Sequence, residues 1–427
     1  MKEEATTALL PKLRFPEFRG EEGWQKVSLN SIADPVRERA VQRENKEVLS
    51  LSAEHGLVLQ GDFFGKKVAG DNIERYLKIV RNDFVYNDRT TKASTYGTIK
   101  RLSKYGGGIV SPIYKCFRFR AQENPVFWEW YFESGIHDVA LRGLVNEGAR
   151  AGRFNISISQ FLSTFAFRPE IAEQQKVADC LSSLDELIAA QAQKVEALKT
   201  HKNGLMQQLF PCEGEIVPAR RFTEFKAAGD WMVLPLAALA DRIMVGIASA
   251  ATHAYRETGV PMLRNQNIKE GKIDDSNLLF IDPGYEAAHK GKRLRAGDVI
   301  TVRTGYPGVS AVVPERYENA QCFTSLITRP KHKILDPAYL CAFINSDIGK
   351  RFILGAEAGG AQKNVNAGAL EMLPVCLPGL GEQRRISACL SRLDALITAE
   401  TQKLEAYKTH KKGLMQRLFP VPGVNEP

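Results

Sequence analysis

Apolar residues recur at alternating steps of four and three along two stretches of the chain, Glu173–Pro211 and Glu382–Pro420. The stretches are offset by 209 residues, and 25 of their 39 positions are identical. This alternation, sustained over about five heptads, predicts two coiled-coil helices. The predicted seam comprises Val177, Leu181, Leu184, Ile188, Val195, Leu198, Leu205 and Leu209 in the first stretch, and Ile386, Leu390, Leu393, Ile397, Leu404, Tyr407, Leu414 and Leu418 in the second.

Two seam positions are polar in both stretches. Gln191 corresponds to Glu400, and Lys202 corresponds to Lys411. If each helix pairs with its own repeat, antiparallel and in full register, Gln191 and Glu400 would meet near the centre and would fix the register. The alternative is that their long aliphatic stems carry the polar ends out of the seam. Each helix is expected to stop at a Phe-Pro pair, because proline cannot continue it.

A second repeat begins each half of the chain. Residues 11–34, the first opener, match residues 218–241, the second opener. The second opener directly follows the first predicted long helix. We therefore expect the first opener to dock near the end of the C-terminal helix, which would make the molecule pseudo-circular with a two-fold axis. The shared residues are Arg14, Phe15, Glu17, Phe18, Trp24, Leu29, Ala33 and Asp34, and Arg221, Phe222, Glu224, Phe225, Trp231, Leu236, Ala240 and Asp241.

Between opener and helix lie two segments of unlike sequence, residues 35–168 (the first head) and 242–372 (the second head). Both contain short strand-like runs with turn signals, and helix-like runs occur near Val126–Gly135 and Pro337–Arg351. The pattern predicts an α+β fold, with two globular α/β heads separated by two long antiparallel helices. The predicted domains are residues 1–168, 169–211, 212–377 and 378–420, with a tail at 421–427.

Composition narrows the function classes. A chain of 427 residues is too long for one core, and a net charge of +9 with a pI near 9.1 favours a polyanionic partner. The seven cysteines contain no CxxC pair, which fits a reducing cytoplasm. Neither a secretory signal nor an apolar run of 18 residues is present, so we expect no membrane span.

The sequence contains no complete catalytic motif. Gly61–Lys67 resembles a phosphate loop, but three residues separate its glycines where four are required, and no Ser or Thr follows the first lysine. Asn124-Pro-Val-Phe127 resembles the Asn-Pro-Pro-aromatic motif of aminomethyltransferases, but a turn is the simpler interpretation because no glycine-rich cofactor loop accompanies it. The isolated histidines show no metal-ligand spacing. We therefore predict a non-catalytic chain without metal or cofactor.

Basic residues interleaved with aromatic residues and amides point to nucleic acid. Residues 61–120 contain 13 Lys and Arg against 5 Asp and Glu, a net of +8. Basic side chains follow phosphates, while Arg reads guanine and Asn or Gln reads adenine; the alternative is an ordinary solvated basic surface. The candidates are Lys66, Lys67, Arg89, Lys92, Lys100, Arg101, Lys104 and Tyr105 in the first head, and Arg264, Asn265, Asn267, Lys292, Arg293, Arg303 and Tyr306 in the second.

These repeats together resemble the DNA-specificity subunit of type I restriction-modification systems. The resemblance rests on the duplicated helix that ends in GLMQ.LFP and on the P..RF.EF…W opener. Phe64–Gly70 with Ile109–Tyr114 also resembles one group of that family's target recognition domains. The resemblance covers nearly the whole chain.

The resemblance implies two target recognition domains, each reading one half of a split, asymmetric double-stranded DNA sequence. It implies recruitment of two methyltransferase subunits, which methylate adenine with S-adenosylmethionine, and of motor-nuclease subunits that hydrolyse ATP. Helices of roughly 55 Å would set the unread gap between the half-sites. The competing interpretations are a single-chain methyltransferase or nuclease, a coiled-coil adaptor whose heads bind protein, and a helix-turn-helix repressor.

Overall fold

Both long helices predicted from the heptads are present in the computed structural model. It describes residues 9–41, 47–61, 74–90, 94–144, 154–212, 214–249, 251–355 and 364–420. The described helices are α1 (Leu29–Ile32), α2 (Pro125–Glu133), α3 (Asp138–Arg142), α4 (Ile158–Leu162), α5 (Ile171–Leu209), α6 (Leu236–Leu239), α7 (Pro283–Ala287), α8 (Pro337–Asn345), α9 (Asp347–Gly355), α10 (Ala367–Glu371) and α11 (Leu380–Leu418).

The strands are short and divide between the two halves of the chain. The first half contains β1 (Gln25–Ser28), β2 (Ala33–Pro35), β3 (Val48–Ser52), β4 (Gly56–Leu59), β5 (Leu77–Val80), β6 (Phe84–Asn87), β7 (Thr98–Arg101), β8 (Gly107–Val110), β9 (Lys115–Phe119) and β10 (Phe165–Arg168). The second contains β11 (Met232–Pro235), β12 (Ala240–Val245), β13 (Tyr255–Arg256), β14 (Val260–Leu263), β15 (Ile268–Lys269), β16 (Lys272–Ile273), β17 (Leu279–Ile281), β18 (Val299–Thr301), β19 (Ser310–Val312), β20 (Gln321–Cys322), β21 (Leu326–Pro330) and β22 (Pro374–Leu377).

The chain divides into two compact units, and each takes one part of both long helices. Unit one comprises Met1–Ala190 with Leu404–Pro427, and unit two comprises Gln191–Lys403. In unit one, Val177 and Leu181 of α5 share a core with Leu418 of α11. In unit two, Leu209 of α5 shares a core with Ile386 and Leu390 of α11. The two helices therefore run antiparallel, as predicted, and every predicted seam residue is buried or half-buried.

The polar seam residues meet as the register required. Within unit two, the Gln191 amide nitrogen donates to the Glu400 carboxylate over 2.7 Å and to its backbone oxygen over 3.0 Å. Lys202 pairs with Asp394 over 2.6 Å. Within unit one, Lys411 pairs with Asp185, and this ion pair is the repeat equivalent of Lys202 with Asp394. The predicted meeting of Gln191 and Glu400 is confirmed, so neither side chain simply reaches out of the seam.

The two heads have the same sheet plan despite their unlike sequences. The first head has an antiparallel sheet of order β2-β9-β6-β7, and the second head has the matching order β12-β21-β18-β19. Each head also has a second four-stranded sheet that contains one parallel pair, β3 with β8 and β14 with β20. The predicted α+β fold class is confirmed, and the divergent heads are two versions of one fold.

The first opener docks at the end of α11, as expected. The Leu13 amide donates to the Arg417 carbonyl over 2.8 Å, and the buried Trp24 ring lies 5.9 Å from the Phe419 ring. In unit two, the Arg220 amide makes the equivalent bond to the Gln208 carbonyl at the end of α5, over 2.9 Å. The openers also supply β1 and β11, which pair antiparallel with β10 and β22.

The Glu-Gln pair at the start of each long helix fastens opener and head to the helix. Glu173 receives two bonds from the Arg14 guanidinium, at 2.9 and 2.7 Å. Glu382 receives the same two bonds, at the same lengths, from Arg221. Both carboxylates are almost fully buried, and planar bidentate pairing is the geometry that favours arginine over lysine. The two openers are therefore held by the same ion pair.

The neighbouring glutamine of each pair holds the first helix of a head. Gln174 is fully buried and accepts the Asn124 amide over 3.1 Å, while Gln383, also fully buried, accepts the Asp336 amide over 2.8 Å. Asn124 and Asp336 are in turn the N-caps of α2 and α8, each followed by proline at the first helical position. Asn124-Pro125 is thus a helix start rather than an isolated turn.

Candidate nucleic-acid interface

In each head a buried aspartate, paired with an arginine, supports the strand that leads to the candidate loops. Asp83 precedes β6 and receives two bonds from Arg118 of β9, at 2.6 and 2.9 Å. Asp298 precedes β18 and receives two bonds from Arg329 of β21, at 2.9 and 2.7 Å. The carboxylate of each aspartate also accepts a backbone amide three residues before it.

The residue before each aspartate has a left-handed conformation. Asn82 has φ 75° and Gly297 has φ 86°, a backbone region that glycine and asparagine tolerate best. The hydrogen bond to its aspartate raises the pKa of each arginine, Arg118 and Arg329, above the ordinary value, because the nearby carboxylate stabilises the charged guanidinium. The turn and the ion pair thus fix the start of β6 and β18, and with them the loops that follow these strands.

In the second head, five of the candidate residues lie in one cluster. A 3-10 turn, Asn265–Asn267, follows β14, and the loop 303–306 follows β18. The Asn265 amide nitrogen donates to the Thr304 carbonyl and hydroxyl at 3.2 and 3.1 Å, and the Tyr306 hydroxyl donates to the Asn265 carbonyl over 2.7 Å. The two loops are therefore joined by direct hydrogen bonds, and Arg264, Asn265, Asn267, Arg303 and Tyr306 lie on them.

The two arginines of this cluster are anchored at one side of the guanidinium only. Arg264 donates through one terminal nitrogen to the Asn277 carbonyl over 2.6 Å, while its Nε is buried with no hydrogen-bond partner among the described residues. Arg303 donates through Nε to the Asn364 amide oxygen over 2.9 Å. Each guanidinium has five N–H groups, so both keep donors for an incoming acceptor.

Lys292 and Arg293 do not belong to this cluster. Lys292 donates to the Gly246 carbonyl over 2.7 Å. Arg293 makes a bidentate pair with Glu286, with both bonds at 2.7 Å, and this pairing lowers the pKa of Glu286. Their charges therefore have partners within the head, and a role at a nucleic-acid surface stays a prediction for both.

The first-head candidates have varied surroundings. Arg89 and Lys104 are exposed, and the Lys104 ammonium lies 5.7 Å from the centre of the Tyr105 ring. Lys100 pairs with Glu133, and Arg101 bonds Glu129 over 2.9 and 2.6 Å. These last two cations have carboxylate partners on α2, so Arg89 and Lys104 are the more available pair. Lys66, Lys67 and Lys92 lie outside the described residues, as does the whole Phe64–Gly70 motif.

Comparison with known protein families identifies the second half of the chain. The family model described as "type I restriction modification DNA specificity domain" matches residues 230–408, which include the second head and most of α11. Residues 230–408 are therefore similar to a type I restriction-modification DNA specificity domain. The cluster formed by loops 264–267 and 303–306 lies within this specificity domain.

Curated relatives of the specificity domain have matching descriptions. The chain is 25% identical over 265 residues to the type I restriction enzyme MjaVIII specificity subunit of Methanocaldococcus jannaschii, covering 59% of this chain and 60% of that protein. It is 21% identical over 182 residues to the EcoKI specificity subunit of Escherichia coli strain K12, covering 41% and 38%. The chain thus spans about two fifths to three fifths of the length of these two relatives.

Solved structures extend the likeness of fold beyond the specificity domain. A chain from a study of complex assembly and conformational transition of the type I restriction-modification system has a TM-score of 0.56 at 19% identity, covering 93% of this chain and 98% of that one. The type I restriction-modification S subunit from M. genitalium has a TM-score of 0.55 at 13% identity, covering 96% and 99%. The fold is shared across nearly the full length, and the resemblance found in the sequence is confirmed.

Several residues that build the specificity domain were not singled out from the sequence. Asp298, Arg329 and Gln383 lie in the packing that supports the loops, and Gln266 lies between two candidate asparagines. The sequence contained a signal for Asp298, because Asn82-Asp83 and Gly297-Asp298 each precede a strand-like run. The arginine partners could not be found this way, since their pairing depends on which strands lie side by side.

The described residues offer neither a metal site nor a membrane-spanning helix. Across those ranges, no group of three or more His, Cys, Asp or Glu side chains could hold a metal ion. The same part of the chain contains no helix that is both long and apolar enough to cross a membrane.

Proposed function

We propose that this chain is the specificity subunit of a type I restriction-modification enzyme. In this proposal it binds a bipartite, asymmetric double-stranded DNA sequence, and each head, acting as a target recognition domain, reads one half. The chain itself carries no catalytic residue and no cofactor. It directs adenine methylation or cleavage by positioning partner subunits on the DNA.

The observation that carries the proposal is that one fold occurs twice with different loops. Both heads have the same sheet order and a buried aspartate paired with an arginine, and both are fastened to the long helices by the same Glu-Gln pair. Their loops, in contrast, differ in length and in polar side chains. A repeated support with two different reading surfaces is what recognition of two unlike half-sites requires.

The chemistry of the second-head cluster supports DNA as the ligand. Two partly anchored arginines and an exposed glutamine lie on loops fixed by internal hydrogen bonds. Arginine and amide side chains are the groups that read base edges in the major groove, and rigid placement limits the entropy lost on binding. The net charge of +9 supplies the general attraction to phosphates.

Two methyltransferase subunits and the restriction subunits are the partners we propose. S-adenosylmethionine and ATP would be bound by those subunits, because the sequence of this chain contains no complete motif for either. The outward faces of α5 and α11 and the two openers are candidate surfaces for the methyltransferase, because both are repeated in the two halves of the chain. Two equivalent surfaces would accept two copies of one partner.

Methylome sequencing tests this proposal. Cells would express the chain with the methyltransferase subunit of its system, or with a catalytically inactive form of that subunit. We expect one split, asymmetric motif with methyladenine in each half, present only with the active subunit. If an active methyltransferase leaves no such motif, the chain is not its specificity subunit.

DNA-binding assays separate the proposal from the adaptor interpretation. The complete methyltransferase complex should bind DNA carrying the motif, and its affinity should fall steeply as salt rises from about 50 to 200 mM. An adaptor whose heads bind protein would show neither salt-dependent DNA affinity nor preference for the motif.

A further inference from the structure

In the second head, the turn Arg264–Asn267 contains two asparagines whose side-chain polar atoms are already in use, an arginine that is partly anchored, and an exposed glutamine. Asn267 is 1% exposed; its oxygen accepts the Arg264 amide over 3.0 Å, and its nitrogen donates to the Asp274 and Ser276 carbonyls, both over 3.0 Å. Asn267 therefore closes the turn on itself and has little capacity left for a ligand.

Asn265 is engaged in the same way on its other side. Its amide nitrogen makes two bonds to Thr304, and its oxygen accepts the Ser325 hydroxyl over 2.8 Å. Both polar atoms of the side chain thus hold the turn against neighbouring strands. Reading a base through Asn265 would require these bonds to break first, so Asn265 is a positioning residue.

Gln266 lies between these two asparagines and is exposed. Among the residues that the structure describes, its side chain has no hydrogen bond. A primary amide presents a donor and an acceptor side by side, which matches the N7 acceptor and the N6 donor of adenine in the major groove. The hydrogen bonds of Asn265 and Asn267 fix the backbone of the turn, so the Gln266 amide projects from a rigid position.

We propose that Gln266 is the residue through which the second head recognises one adenine of its half-site. Arg264, anchored at the Asn277 carbonyl, lies two residues away and supplies charge beside it. The inference rests on the proposed function and goes beyond it by naming one specificity-determining side chain and the base that it reads. It also reassigns Asn265 and Asn267 from base reading to support of the turn.

The first test is methylome sequencing of the complete complex carrying Gln266→Ala. We expect one A·T position in the second half-site to become degenerate, while the first half-site stays unchanged and serves as the internal control. Asn265→Ala should instead lower methylation of the whole motif without relaxing a single position. An unaltered motif with Gln266→Ala, or a uniform loss of methylation, would overturn the inference.

A second test removes one atom from the DNA. At the adenine identified above, 7-deazaadenine replaces the N7 acceptor with C–H. The wild-type complex should lose about tenfold in affinity for this DNA, whereas the Gln266→Ala complex should bind the normal and altered DNA equally. Equal losses for both complexes would contradict the inference. Absence of any motif with the wild-type complex would instead remove the proposed function, and the inference with it.

Discussion

Single side chains decide how firmly the reading loops are held. Asp298 is 1% exposed and bonds Arg329 through both carboxylate oxygens, at the start of β18. A buried carboxylate of this kind cannot be removed without leaving an uncompensated guanidinium in the head. The loop 303–306 follows the same strand, so the ion pair serves the stability of the head and the geometry of the interface together.

Asp298→Ala should destabilise unit two by about 3 kcal/mol, because it leaves Arg329 buried without its partner. Hydrogen exchange of the amides in β18 and β21 would measure this loss of stability at the strands that carry the ion pair. Glu270→Ala offers a matched control: its ion pair with Lys350 is about two fifths exposed, and it should change stability by only about 0.5 kcal/mol. Equal effects of the two substitutions would show that burial is not the cause.

His137 makes the stability of unit one depend on pH. Burial lowers the pKa of His137 from 6.5 to about 3, and its Nδ1 has no partner among the described residues. Below pH 6.5 the unfolded chain therefore binds a proton that the folded chain does not. The free energy of unfolding should therefore decrease as the pH falls from 6.5 toward about 3, by up to about 1.4 kcal/mol per pH unit.

His137→Gln should flatten that dependence, since an amide does not titrate. Urea denaturation at several pH values between about 4 and 7 would show a shallower slope for the variant than for the wild type. His410→Gln, at an exposed position of α11, should keep the wild-type slope. If wild type and His137→Gln lose stability equally as the pH falls, other groups cause the acid sensitivity.

At the scale of elements, the sequence predicted the long helices better than the heads. The four-three spacing of Val177, Leu181 and Leu184 depends on local periodicity, and this is preserved in the structure. Sheet order could not be predicted, because the pairing of β2 with β9 joins residues that are more than 80 apart along the chain. Likewise, the base-reading candidates were chosen by residue type, whereas their availability depends on partners such as Thr304 and Glu286.

The polar contact between Gln191 and Glu400 should fix register at a cost in stability. Replacing both residues with leucine is expected to raise the urea midpoint of the chain, because an apolar seam packs without desolvating a carboxylate. Gln191→Leu alone should lower the midpoint, since Glu400 then loses the hydrogen bond from the Gln191 amide and keeps the one from Lys194, at 2.6 Å. If the double variant is less stable than the wild type, the polar pair is stabilising in its own right.

At the scale of the whole molecule, the two openers attach to helix ends in the same way, but only one of them follows its helix along the chain. The bond from Arg220 to Gln208 accompanies a covalent connection through residues 212–217, and the bond from Leu13 to Arg417 does not. The fold of unit one therefore already holds the opener where a connection would place it.

A circular permutant should accordingly fold and retain its DNA motif. In this variant, six residues copied from 212–217 would link Pro420 to Pro11, and new termini would replace the original 212–217 connection. Methylome sequencing with the methyltransferase subunit should return the wild-type motif. A folded permutant that reads a different motif would mean that the covalent order of the halves contributes to recognition.

The contact of Gln191 with Glu400 also has a consequence for synthesis. On a polysome, the first helix of each chain emerges before its own second helix, so identical first helices of neighbouring chains can meet. Two first helices would bring glutamine against glutamine, and two second helices would bring carboxylate against carboxylate, which repel. Separately expressed halves, 1–217 and 218–427, should therefore form heterodimers in preference to homodimers by native mass spectrometry. One unlike pair of side chains thus disfavours pairing between equivalent helices of neighbouring nascent chains.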